Sequence, residues 1–114
     1  MNTIDSYQFG LIVVNGEKYT SDVIIFPQSI KGSWWRRSGH ELCLEDIAEV
    51  IAENPEVLVI GTGASGLMEV LPEVEQAAQA QRIKLIVETT DEACNTYNQL
   101  SHSQRLVAAL HLTC

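Results

Sequence analysis

The residue types best suited to chemistry form a glycine-rich loop, GTGASG at 61–66. Its spacing is formally G-x-G-x-x-G, and Glu88 follows 22 residues after Gly66. In dinucleotide-binding proteins such glycines let the backbone approach a pyrophosphate, and the acid holds a ribose hydroxyl. Pro72 interrupts the helix that would bind the phosphate, and 114 residues cannot hold both halves of that fold. The favoured interpretation is a strand-to-helix turn that uses glycine for positive φ.

The same loop could still bind a small anion. Loops at the carboxyl ends of parallel strands are where open α/β sheets bind ligands, and free amides there attract anions. The sequence Thr-Thr-Asp-Glu at 89–92 begins a helix after the next strand, where the helix dipole favours the same kind of ligand. Ordinary helix capping is the simpler interpretation of that sequence. The candidate ligand-binding residues are Gly61, Thr62, Gly63, Thr90 and Arg36.

The segment Trp34-Trp35-Arg36-Arg37 places two aromatic rings beside two cations. Trp and Arg are enriched at interface hot spots, because Trp buries a large area and Arg both stacks and forms paired hydrogen bonds. Trp35 and Arg36 are therefore the candidate interaction surface. The alternative is that one Trp fills the core while the arginines pair with some of the fifteen acidic residues. The sequence favours neither interpretation for Trp35.

No group of residues indicates a catalytic centre. His111 and Cys114 lie three positions apart, so on a strand they face opposite sides unless the chain bends after Leu112. No third residue orients them, and the sequence has no G-x-S-x-G, HExxH or metal-ligand pattern. The three cysteines are far apart and odd in number, which indicates reduced thiols. We predict no catalytic residue, no metal and no cofactor, and an enzyme is the less favoured class.

Composition and charge exclude several classes of protein. Fifteen acidic and seven basic residues give a formal net charge of −8, which would repel a nucleic-acid backbone. The chain is 46% hydrophobic and 19% charged, as is typical of globular proteins. The amino terminus lacks a secretory signal, and no run approaches the roughly 20 apolar residues of a membrane span. We expect a cytoplasmic protein that neither binds nucleic acid nor inserts into a membrane.

The pattern of apolar residues predicts the elements that position these candidates. The run at 9–14 ends at Asn15-Gly16, a dipeptide typical of a tight hairpin, and DVIIF at 22–26 is a second β-rich run. The second part of the chain alternates helix 44–53, strand 57–60, helix 72–81, strand 84–87, helix 90–100 and strand 105–112. This alternation predicts a single α/β domain over 1–114, with a largely parallel sheet and a hairpin-rich first third.

Four segments together form a family pattern: Trp35-Arg36, VLVIGTG at 57–63, T-x-x-A-x-x-x-Y-N-x-L at 90–100, and Arg105 with HLTC at 111–114. Over about residues 7–114 the chain resembles the small domain of unknown function 498. Members of that family include the mitochondrial complex I assembly factor 3 and an adipogenesis-associated domain protein. The resemblance implies a three-layer α/β fold around a central mixed sheet, which agrees with the elements predicted above.

The resemblance also implies a function in assembly rather than catalysis, since the mitochondrial relative binds partners while a respiratory complex is built. We therefore predict a noncatalytic protein-interaction module with a protein partner, by analogy aiding the assembly of respiratory complex I. A homo-oligomer is compatible with this function. The alternative is a small-ligand or anion-binding protein, or an enzyme, that uses the glycine loop after the strand at 57–60. Fold similarity does not carry function by itself, and the chain lacks a basic, Ser-rich presequence.

Overall fold

A five-stranded mixed sheet lies at the centre of the computed structural model, which describes residues 2–114. The strands are β1 (Ile4–Gln8), β2 (Leu11–Val14), β3 (Glu17–Tyr19), β4 (Val23–Ile25), β5 (Ile30–Lys31), β6 (Glu41–Leu42), β7 (Val57–Gly61), β8 (Glu69–Val70), β9 (Lys84–Glu88) and β10 (Leu106–Leu110). The helices are α1 (Ala48–Glu53), α2 (Pro72–Ala80) and α3 (Thr90–Leu100). A short 3-10 turn, Leu44–Ile47, leads into α1.

The central sheet has the strand order β5-β4-β10-β7-β9. Strands β10, β7 and β9 run parallel, whereas β4 is antiparallel to β10 and β5 is antiparallel to β4. All residues of β7 and β10 are buried, as expected of apolar strands that are covered on both faces. The predicted α/β fold with a central mixed sheet is confirmed.

Two hydrophobic cores lie on opposite faces of this sheet. On one face Leu106, Ala108 and Leu110 of β10 pack with α3 and with residues of the β1-β2-β3 sheet. On the other face Val107 and Ala109 pack with α1, α2 and the neighbouring Trp34. Alternate residues of β10 therefore contribute to the two cores. The central sheet is the middle one of three layers, with helices or strands packed on each of its faces.

The predicted hairpin is present as β2 and β3. Asn15 and Gly16 between them have φ values of 52° and 81°, and two positive φ angles in succession match the turn that suits a two-residue hairpin. The run expected from Phe9 starts instead at Leu11, because Phe9 and Gly10 form the turn from β1. Strand β1 itself has a mostly polar sequence, IDSYQ, and an irregular register between Ile4 and Ser6, so the apolar pattern did not reveal it.

Most helix ends lie at the expected signals, but the helix predicted over 44–53 is α-helical only from Ala48, because its first turn, Leu44–Ile47, is a 3-10 helix. Pro72 occupies the first turn of α2, where its missing amide costs no hydrogen bond. Helix α1 ends at Asn54 in the left-handed conformation, immediately before Pro55. Thr89 precedes α3, although its hydroxyl contacts the Glu92 carboxylate at 3.2 Å rather than a backbone amide. Within the described residues, none of the helices has the length and apolar character that crossing a bilayer requires.

Candidate functional site

The carboxyl ends of the three parallel strands meet at one end of the central sheet. The end of β10 pairs with the start of β4, since Leu110 lies opposite Val23 in the antiparallel register. Asp22, which precedes β4, is therefore brought beside His111, which follows β10. The helix α3 also starts at this end, directly after β9.

Asp22, Arg36 and His111 form a buried ionic cluster. Arg36 Nη1 donates to Asp22 Oδ2 at 2.6 Å, and His111 Nδ1 lies 2.8 Å from the same oxygen. The Leu112 amide donates to Asp22 Oδ1 at 2.7 Å, and Arg36 Nη2 donates to the Gly39 carbonyl at 2.9 Å. The side chains of Arg36 and His111 are only 5% and 7% exposed. The cluster thus belongs to the interior of the domain.

The geometry assigns a hydrogen to His111 Nδ1. This atom lies 2.8 Å from the Asp22 carboxylate and 3.0 Å from Arg36 Nη2. An ionised carboxylate only accepts hydrogen bonds, so an unprotonated Nδ1 would face the oxygen lone pair to lone pair. With the hydrogen on Nδ1, His111 donates to Asp22, and Arg36 Nη2 is left to donate to Gly39.

The pKa of Asp22 reflects a competition between burial and hydrogen bonding. Burial raises the pKa because it penalises the charged form, but hydrogen bonds from His111, the Leu112 amide and Arg36 lower it, and the result is a pKa below the ordinary value. Each Asp22 oxygen already accepts at least one hydrogen bond. This carboxylate is suited to holding the Arg36 guanidinium and the His111 ring in place rather than to accepting a proton from a substrate.

Two polar atoms of the cluster are buried without a hydrogen-bond partner among residues 2–114, Arg36 Nε and His111 Nε2. Leaving such atoms unpaired costs free energy, so the cluster is maintained by its other contacts. Both atoms have almost no surface accessible to solvent.

The two adjacent tryptophans have different environments. Trp34 is 3% exposed, donates from Nε1 to the Asp46 carbonyl at 3.0 Å, and has the Arg36 guanidinium 5.0 Å from its ring centroid. Trp35 is 84% exposed. Trp34 thus fills the core, and Trp35 is exposed to solvent. Both line a cavity of about 370 Å³, whose other lining residues are Ser21, Asp22, Arg36 and Gly39.

Several amides of residues 62–67 donate to oxygens of the protein itself. Thr62 donates to the Glu88 carbonyl (2.9 Å), Gly63 to Thr90 Oγ1 (2.8 Å), Ala64 to the Thr113 carbonyl (2.7 Å) and Leu67 to the Cys114 carbonyl (3.1 Å). A Cβ on Gly63, whose φ is +109°, would lie 2.4 Å from the carbonyl carbon of Cys114. The glycine at this position therefore lets residues 111–114 pack against the loop. An anion would have to displace these contacts, so no observation favours the small-ligand alternative.

Thr90 joins the loop to the end of β10. Its buried hydroxyl accepts from the Gly63 amide at 2.8 Å and donates to the His111 carbonyl at 2.5 Å. The His111 amide in turn donates to the Gly61 carbonyl at 3.0 Å. The structure therefore brings Gly61, Gly63, Thr90 and Arg36 together through His111, whose backbone contacts the loop and whose side chain contacts the arginine.

A family model described as "Protein of unknown function (DUF498/DUF598)" matches residues 4–112. The chain belongs to this family. NADH dehydrogenase [ubiquinone] 1 alpha subcomplex assembly factor 3 of Bos taurus is 32% identical over 108 residues, which is 93% of this chain and 58% of the relative. The Homo sapiens protein of the same name is 28% identical over 109 residues, with the same coverage. The chain thus spans a little over half the length of these relatives.

A solved structure shows the same fold. The crystal structure of a conserved hypothetical protein from Pyrococcus horikoshii OT3 superposes with a TM-score of 0.85 at 28% sequence identity. The match covers 98% of this chain and 99% of that one. The elements of this DUF498 domain are therefore arranged as in that relative.

Sequence reasoning missed two residues that organise this end of the DUF498 domain, Asp22 and His111. The sequence indicates His111 only as a partner for Cys114, but its ring pairs with Asp22, which is 89 positions away in the chain. The available signal was a polar residue next to each of two apolar runs: Asp22 directly precedes the run of β4, and His111 directly follows the run of β10. That signal becomes informative only once β4 and β10 are known to be neighbours.

Exposed apolar side chains surround the same end of the domain. Phe9 is 65% exposed, Trp35 84% and Leu67 56%. The Gly10 amide beside Phe9 donates to the Leu112 carbonyl, the Leu67 amide donates to the Cys114 carbonyl, and Arg36 beside Trp35 contacts His111. All three therefore flank residues 111–114. We name this region, Phe9, Trp35 and Leu67 around 111–114, the carboxyl-end surface.

Proposed function

We propose that this DUF498 domain is a noncatalytic protein-interaction module that contacts its partner through the carboxyl-end surface. By analogy with the assembly factors that it resembles, the partner is a subunit or an assembly intermediate of a respiratory complex such as complex I. The observation that carries this proposal is the 84% exposure of Trp35 beside the ionic cluster, since Trp35 lines one cavity with Asp22 and Arg36.

The fixed positions of Trp34 and Arg36, on each side of Trp35 in the chain, favour the binding of a partner to Trp35. A large aromatic side chain that is exposed in the free protein gains most when a partner buries it, and a rigid base reduces the entropy lost on binding. Here Trp34 is packed in the core and Arg36 is fixed by the Asp22 carboxylate and the Gly39 carbonyl. The backbone on both sides of Trp35 is therefore held in place before any partner arrives.

Arg36 and Trp35 have different functions in this proposal. The Arg36 side chain is 5% exposed, so it offers a partner little contact area, and its removal would leave Asp22 buried without its principal cation. Trp35 supplies the contact area, and Arg36 fixes the adjacent backbone through its bonds to Asp22 and Gly39. A substitution at Trp35 alone is therefore the appropriate test of the surface.

The first experiment is affinity capture of the tagged domain from its own host, with the bound proteins identified by mass spectrometry. We expect Trp35→Ala to lose most of the captured partner, on the order of tenfold or more for a hot-spot Trp. Trp35→Phe keeps an apolar ring and should retain most of it. His102→Ala, an exposed change in the turn after α3 at the other end of the sheet, is the matched control.

Equal recovery of the partner with Trp35→Ala and with His102→Ala would refute the proposed surface, provided that both variants melt at the wild-type temperature. Recovery of proteins unrelated to respiratory complexes, lost specifically with Trp35→Ala, would support the surface and refute the analogy with complex I assembly. The cytoplasmic location stays a prediction, and fractionation of the same host cells tests it.

A further inference from the structure

The outer strand β9 leaves a backbone edge without a partner among residues 2–114. The sheet order places β5 and β9 at the two edges, and β9 pairs only with β7. The two edges differ in length, since β5 has two residues and β9 has five. A long edge strand is a template for pairing with another strand.

The hydrogen bonds to β7 show which groups of β9 face outward. The Lys84 amide donates to the Glu56 carbonyl at 3.0 Å, and the Thr62 amide donates to the Glu88 carbonyl at 2.9 Å. Backbone groups of a strand alternate in direction, so residues 84, 86 and 88 face β7. Leu85 and Val87 therefore direct their N–H and C=O groups away from the sheet.

The side chains of this edge suit a self-complementary contact. Val87 is 45% exposed, whereas the other two apolar residues of β9, Leu85 and Ile86, are half-buried. Lys84 at one end of β9 has no ion-pair partner within residues 2–114. Glu88 at the other end uses only Oε1, which accepts from the Thr96 hydroxyl at 2.6 Å. The edge thus has a free cation at one end and an available carboxylate oxygen at the other.

We propose that two copies of this chain associate through β9, in antiparallel pairing about a two-fold axis at Ile86. In this register Leu85 of one copy lies opposite Val87 of the second copy, and each such pair exchanges two hydrogen bonds. The outward N–H and C=O groups of both residues are then satisfied. Lys84 lies opposite Glu88 of the second copy, and the symmetry repeats the same pair on the other side of the axis.

The charges at the two ends of β9 favour a second copy over an unrelated strand. Opposite charges on directly opposed residues stabilise an antiparallel pair, and a strand that begins with Lys and ends with Glu provides them against itself. A five-residue edge buries less area than a standard stable interface, so the dimer is weak and depends on protein concentration. The contact does not include Trp35, so this inference is independent of the proposed function.

Sedimentation velocity over a wide range of protein concentration tests the dimer. We expect the wild type to shift from monomer to dimer, and Val87→Pro to weaken that association by about tenfold or more, because it removes one outward N–H from each copy. Pro is tolerated on a solvent-facing edge, so the fold should survive. Val87→Thr keeps the N–H and the β-branched shape and should associate like the wild type. A wild type that stays monomeric throughout, or Val87→Pro that associates equally, overturns the proposal.

A charge exchange tests the register. Lys84→Glu alone places acid opposite acid, and Glu88→Lys alone places base opposite base, so each variant should self-associate about tenfold more weakly. Mixing the two variants restores both opposite-charge pairs and should restore the dimer. Thermal melts identify any variant that does not fold, and in that case the comparison of Val87→Pro with Val87→Thr decides. No recovery on mixing two folded variants overturns the register.

Discussion

Asp22 joins residues 36, 111 and 112 at the carboxyl-end surface. Its carboxylate neutralises Arg36, holds the His111 ring and accepts the Leu112 amide, so it joins segments from three parts of the chain. Removing one member of a buried ion pair is costly because the other charge is left without compensation. The energetic importance of Asp22 therefore exceeds that of an exposed ion pair such as Arg37 with Glu45 at 3.5 Å.

Replacement of Asp22 by Asn tests this interpretation through its dependence on pH. We expect Asp22→Asn to lower the free energy of unfolding by about 3 kcal/mol near neutral pH, since Arg36 loses its counterion. The native pKa of Asp22 lies below its ordinary value of 3.8. The ionised carboxylate thus stabilises the fold above about pH 4, and that contribution is lost as the pH falls through the native pKa. The difference between wild type and Asp22→Asn should shrink in acid, as measured by urea unfolding at several pH values.

Asp5→Asn is the matched control for that experiment. Asp5 is exposed and accepts the Gly16 amide at 2.7 Å, a bond that Asn can also accept. We expect this variant to change stability by less than about 1 kcal/mol at every pH. A loss for Asp22→Asn that stays constant from neutral to acidic pH would contradict the assignment of an ionised carboxylate.

At the scale of elements, the glycine loop provides the surface against which residues 111–114, after β10, are packed. Gly63→Ala places a methyl group 2.4 Å from the Cys114 carbonyl carbon at a φ of +109°. We expect it to cost about 2 kcal/mol or more, through backbone strain and displacement of residues 113–114. Hydrogen exchange at the Ala64 and Leu67 amides should accelerate, because their acceptors are the Thr113 and Cys114 carbonyls.

Gly39→Ala is the control for this substitution, since a Cβ on Gly39 has no atom within 4 Å and its φ does not lie in the left-handed region. Its free energy of unfolding should stay close to that of the wild type. Unchanged exchange at Ala64 and Leu67 in Gly63→Ala would show that residues 113–114 do not depend on the glycine.

The elements differ in how far the sequence determines them. Strands β7, β9 and β10 and helices α2 and α3 follow from local signals, because apolar runs, Pro72 and the Thr-Thr-Asp-Glu sequence act within a few residues. The position of β10 between β4 and β7 has no local signal. The cluster of Asp22 with His111 depends on that position, which is why the glycine loop could be proposed from the sequence and the ionic cluster could not.

At the scale of the whole molecule, negative charge is in excess. The formal net charge of −8 implies mutual repulsion in the folded state, which added salt screens. We expect the melting temperature at pH 7 to rise with sodium chloride concentration. Near the isoelectric point of about 4.6 the rise should be much smaller, because the net charge is close to zero. A melting temperature that falls with salt at pH 7 would show that attractive ion pairs outweigh the net repulsion.

The central position of β10 also determines when the fold can be completed during synthesis. Strands β5 and β4 form one part of the sheet, β7 and β9 form the other, and β10 alone joins them. A nascent chain that has not yet exposed Leu106–Leu110 outside the ribosome holds two separate apolar strand pairs, each with an open edge. Those edges stay open until β10 emerges, so we expect this domain to close its central sheet only after synthesis of β10, and to present apolar edges to chaperones until then.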